Sequence, residues 1–138
     1  MKYDDAEYFF LNFENDDLAT ENGATHIGLY LAWNAMKGLV STDTHDQAVI
    51  DQVRSRSITG RDFVVDQSDC KLFDDDLSDE GNAFAAWYYE DHYLQDYCRV
   101  FGVSDDVNDF CSVEDSWANY DKLAPVLDQR FAEWKARH

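Results

Sequence analysis

The sequence predicts an all-α fold: a compact single-domain bundle of four or five helices over residues 1–138, with an irregular, aromatic-rich segment at its N-terminus. Three observations carry this. Apolar residues recur at helical spacing from Thr25 onward, and cap-forming residues precede several of the runs. Pro occurs once and Gly six times, with no Pro- or Ser/Gly-rich linker and no repeat of solenoid length. Hydrophobic residues at 45% and aromatics at 15% supply a core and exclude a disordered acidic tail.

The first twenty residues mix Tyr3, Tyr8, Phe9, Phe10 and Phe13 with acids and Asn, which suits an extended segment laying aromatics onto the body. The run THIGLYLAWNAMKGL from Thr25 is nearly apolar all round. A helix there, stopped by Lys37 and Gly38, is expected to be the central and most buried one. A second helix is expected from Thr44, whose hydroxyl and Gln47 three residues later form a capping-box pattern, with Val49, Ile50 and Val53 inward. The segment from Gly60 to Gln67 fits one or two helical turns.

Ser78, followed by Asp79 and Glu80, places a cap and two negative charges at the start of a long helix that runs to Gly102. On it Phe84, Trp87, Leu94, Cys98 and Phe101 fall near one stripe. Tyr88, Tyr89 and Tyr93 flank that stripe, and Tyr97 lies nearer its buried side. A last helix is expected from near Ser112, capped by Ser112 and Asp115 and running through Trp134. Pro125 removes one amide donor there and should kink it or start a new helix.

Charge is the most unusual feature. With 29 acidic against 11 basic side chains the net charge is -18. Such a surface disfavours nucleic acid and anionic membranes, both polyanions, and complements a cationic protein. The acids also cluster. From Asp66 through Asp121 there are sixteen acids against Lys71 and Arg99, while Arg54, Arg56 and Arg61 gather elsewhere. The expected partner-binding surface is Asp74, Asp75, Asp76, Asp79, Glu80, Tyr88, Tyr89, Glu90, Asp91, Tyr93, Asp105, Asp106 and Asp109. In it, acids steer a basic partner and tyrosines supply contact area.

Other chemistries lack a signal. The acids from Asp74 miss the calcium-loop pattern, because its sixth and twelfth positions are Asp79 and Ala85. His26, His45, His92 and His138 show no HxxxH or HExxH spacing. There is no GxSxG elbow and no P-loop. No metal, cofactor or enzymatic activity is therefore expected; the alternative is a metal-dependent hydrolase or other small enzyme using His26 or His92 with carboxylates. Cys70, Cys98 and Cys111, odd in number and without CxxC spacing, read as reduced thiols. The opening Met1-Lys2-Tyr3-Asp4-Asp5 does not read as a secretory signal, and no apolar run is long enough for a membrane helix, so a cytoplasmic location is expected.

The segments KYDDAEYFF at the start, GATHIGLYLAWNAMKGLVS at 23–41 and LSDEGNAFAAWYYEDHYLQDY at 77–97 resemble an uncharacterised family of small acidic bacterial proteins. Proteins of this kind look like immunity proteins encoded beside secreted antibacterial toxins. The resemblance implies a cognate toxin as partner, and the acidic surface suits a nuclease or another enzyme with a basic active site. A regulatory protein-binding module is a further alternative, and the aromatic surplus leaves a homodimer contact open. His26, Gly28, Trp33, Gly81 and Asn82, within these segments, read as architectural, with Gly28 permitting close helix packing.

Overall fold

The computed structural model describes residues 1–13 and 18–137, so positions 14–17 of the segment expected to be irregular, and His138, lie outside the described residues. The chain opens as strand β1 (Lys2–Asp5), which pairs antiparallel with β2 (Lys71–Phe73). This small sheet corrects the all-α expectation: the fold is mainly α. The extended backbone of Lys2–Asp5 needs hydrogen-bond partners, and β2 supplies them. The helical segments also exceed four or five, because short turns take up stretches that read as loops.

Helix α1 (Ala6–Phe10) is capped by Asp5, which accepts from the Glu7 amide at 3.0 Å. A 3-10 turn (Thr20–Ala24) leads into α2 (Thr25–Met36), in which every residue from Thr25 to Ala35 is buried. The helix expected to be central is so, and Gly38, with φ at +73°, makes the left-handed stop beyond it. Helix α3 (Gln47–Arg54) follows Asp46, not Thr44. No side chain caps it, and Thr44 sits in the preceding turn. Helix α4 (Gly60–Gln67) matches its expected span and carries the capping box, with Thr59 and Asp62 bonding each other's amides.

After β2 and a 3-10 turn (Asp74–Asp76), Ser78 caps α5 (Asp79–Tyr88) by accepting from the Gly81 amide at 3.2 Å. The rod continues through a π-turn (Tyr89–Tyr93) into α6 (Leu94–Phe101), which ends at Gly102 with φ at +64°. Asp106 caps the short α7 (Val107–Phe110). Helix α8 (Trp117–Arg137) starts with Ser116 accepting from the Asn119 amide, five residues after the start expected at Ser112. Pro125 lies inside α8 as one continuous element, so it starts no new helix.

Helix α2 forms the centre. At its crossing with α4 the glycines meet: a β-carbon on Gly28 would run into the backbone of Gly60 and Arg61, and one on Gly60 into the backbone of Gly28. That is the close packing expected of Gly28. On the other side α8 closes over α2 and α5, with Phe131 edge-on to both Trp33 and Phe84 and the Trp33 indole donating to Asp128 at 2.9 Å. No helix among the described residues is long and apolar enough to cross a membrane.

Candidate functional site

The rod formed by α5, the π-turn and α6 organises the site. An α-helix keeps one face inward by returning every 3.6 residues, and a π-turn adds a residue that rotates everything after it. In α5 the buried positions are Gly81, Phe84, Ala85 and Tyr88; beyond the π-turn's start they are Tyr89, Tyr93, Asp96 and Tyr97. The tyrosines therefore turn into the core, and Leu94, Cys98 and Phe101 are only half-buried. Phe84 and Tyr97 are buried as expected, whereas the rest of the expected stripe gives way to the flanking tyrosines. Tyr88, Tyr89 and Tyr93, expected as surface anchors, lie inside the protein.

Their hydroxyls are tied internally. Tyr88 donates to Asp96 at 2.7 Å, Tyr89 to Asp4 at 2.5 Å, and Tyr93 to the His26 carbonyl at 2.5 Å. Burial pushes these three phenols, and Tyr97, far above the ordinary tyrosine range. Asp96, itself 3% exposed, also accepts both arms of Arg130 and one of Arg99. Burial would raise its carboxyl, but the bonds from Arg130 and Tyr88 and the two guanidinium charges hold it below its ordinary value.

The acids divide in the same way. Asp76 is buried, and its carboxylate accepts from Ser68, pairs with His45 at 2.7 Å and takes the Phe73 amide; it is a core knot and not a surface charge. Its neighbour Asp74 pairs with the Met1 amino group. Asp75, Asp79 and Glu80 are exposed at the start of α5, with Glu80 beside Lys135. Asp106 caps α7, and Asp109 takes the Ser104 amide. Glu90, Asp91 and Asp105 are exposed and converge elsewhere, on a cleft of about 550 Å³.

Leu94, Cys98 and Val103 line the apolar side of this cleft together with Phe9 of α1 and Phe110 of α7. Glu90, Asp91 and Asp105 are its charged residues, Gln95 and Ser104 its neutral polar ones, and no Lys or Arg lines it among the described residues. Burial, followed by the Asp105 and Asp109 carboxylates, pushes the Cys98 thiol above its ordinary value. The apolar members went unread in the sequence because the π-turn decides which side of α6 faces out.

Among the described residues, His26 and His45 are buried and each is paired with an aspartate. His26 is 1% exposed; its Nε2 pairs with Asp4 at 2.8 Å, and the rings of Phe9 and Phe110 lie edge-on against it. Burial would raise the Asp4 carboxyl, yet the His26 imidazole, the Tyr89 hydroxyl and the Asp5 amide outweigh it and hold it low. His92 lies against Trp87 and Tyr88 on the π-turn. No cluster of three metal-ligating side chains occurs among the described residues.

These features define a mainly helical protein with an acid-rimmed, apolar-floored cleft between α1, α6 and α7. Residues 2–112 match the model of a family described as a domain of unknown function (DUF7832), and the chain belongs to that family. No curated protein and no solved structure matches it significantly. The matched residues run from β1 through α7 and include the whole cleft, while α8 lies beyond them.

Proposed function

We propose that this chain is an immunity protein that binds a cognate bacterial toxin acting in the cytosol and neutralises it by covering a basic surface, such as a nuclease active site. The observation that carries this reading is the cleft: three carboxylates, Glu90, Asp91 and Asp105, around an apolar floor with no cation among the described lining residues. Some acids elsewhere have a close cationic partner, as Asp96 has Arg130 and Asp121 has Arg56; the three cleft carboxylates adjoin apolar surface instead. Unpaired carboxylates beside apolar surface cost repulsion and solvent exposure in the free protein, and a basic partner relieves both. The exposed acids Asp75, Asp79, Glu80 and Asp106 extend the negative field and steer the approach.

The test is co-expression of this protein with the toxin-like product of a neighbouring gene. Growth arrest by that product alone, relieved by this protein, with a complex that weakens as salt rises, is the expected result. Absence of both toxicity and complex formation would overturn the reading for that neighbour. Hydrolytic activity of the purified protein, lost in His26→Ala, would replace it with the enzymatic alternative.

A further inference from the structure

We infer that the cleft seats a short amphipathic, cationic helix of the partner, with a Lys or Arg side chain at the carboxylate rim and apolar side chains on Leu94, Cys98 and Val103. This rests on the partner-binding reading above and assigns it a site and a kind of ligand. Three observations define the occupant. Glu90, Asp91 and Asp105 favour positive charge, and none of the described lining residues supplies it. Leu94, Cys98, Val103 and Phe110 give the cleft an apolar floor, which a hydrated metal ion or a purely ionic ligand would leave uncovered.

The third observation is that exposed apolar side chains stand beside the wall residue Phe9. Phe9 forms part of the wall, and on the same short helix Tyr8 and the adjoining Leu11 are each 69% exposed, with the Tyr8 ring edge-on to Phe9. A small cation confined to the cleft would leave these side chains bare, whereas a peptide segment spans both. The walls are mainly helical, with backbone groups already bonded within α6 and α7. They offer no strand edge for an extended peptide. A segment that satisfies its own backbone, an amphipathic helix with anchors three or four positions apart, fits such a groove.

The experiment is selection of a displayed random-peptide library on the intact protein, followed by affinity measurement with the enriched peptides. Enriched sequences should carry Lys or Arg three or four positions from Leu, Ile, Phe or Trp. Their affinity should fall about tenfold or more in the triple variant E90Q/D91N/D105N and stay within about twofold in D43N/D66N, which removes two exposed acids that do not line the cleft. Leu94→Ser should weaken binding separately from charge, and unchanged thermal unfolding of each variant confirms that the fold is intact. No enrichment, equal binding to the triple variant, or equal binding of purely basic peptides would overturn the inference. If the triple variant still neutralises the toxin, the cleft assignment fails and immunity stands; if peptides bind the cleft but no toxin is neutralised, the reverse holds.

Discussion

The two faces of the rod made by α5, the π-turn and α6 use polar groups in opposite ways. On the inward face Tyr88, Tyr89 and Tyr93 each place a hydroxyl on a defined acceptor, and Asp96 gathers Tyr88, Arg99 and Arg130. On the outward face Glu90 and Asp91, sequence neighbours of those tyrosines, stand exposed at the cleft. Satisfied polar groups specify the fold, and exposed unpaired ones are free to meet something else. The contrast teaches that polarity in one segment of chain does not indicate its use; its partners do.

Breaking the inward face should have the largest effect. Asp96→Ala leaves Arg130 and the Tyr88 hydroxyl without their acceptor and should cost about 3 kcal/mol or more in urea unfolding. Arg130 is 27% exposed and recovers part of its hydration, which keeps the loss toward the lower end of that range.

Next in size is the dependence of stability on pH. Asp4 and Asp96 have carboxyls held below the ordinary value of 3.8, so their contribution is full above that value and is lost as pH falls through the depressed range. Asp115, raised by burial, works the other way and softens the acid loss. At the alkaline end the buried tyrosines stay protonated in the fold while the unfolded chain releases protons near 10, so stability falls as pH rises beyond that point. Thermal unfolding across pH should show a plateau at neutral pH with a decline at both ends. A profile that keeps improving above 10 would contradict the burial of these phenols.

A smaller change sharpens the comparison. Tyr93→Phe removes one hydroxyl and leaves the His26 carbonyl without that bond, which should cost about 1 kcal/mol. The smallest effect is expected outside: Glu90→Gln with Asp91→Asn should shift stability by less than about 0.5 kcal/mol while weakening partner binding. A large stability loss in that pair would place those acids among the structural groups.

Local chemistry made much of the helical fold legible. Gly38 and Gly102 as helix stops, Ser78 as a cap and the all-round apolar α2 follow from short-range rules that the sequence displays directly. Thr44 misled because Thr–x–x–Gln is also compatible with a turn, and the box that forms, at Thr59 and Asp62, lies at the next helix. The pairs Asp4 with His26 and His45 with Asp76 join residues 22 and 31 positions apart and carry no local signature. The cleft was half legible. Its acids stood out by charge, but its floor depends on the helix phase after Tyr88, and the tyrosines that seemed to accompany the acids turn inward for the same reason.

The π-turn makes chain length, as distinct from residue identity, a determinant of this surface. Removing a single residue between Tyr89 and Tyr93 would let the rod run as an uninterrupted α-helix and rotate α6 by about 100°. Positions that now face water would swing toward the core and the tyrosines toward solvent, with no side chain in α6 altered. One residue gained or lost in this rod therefore disturbs the cleft more than a substitution on its outward face.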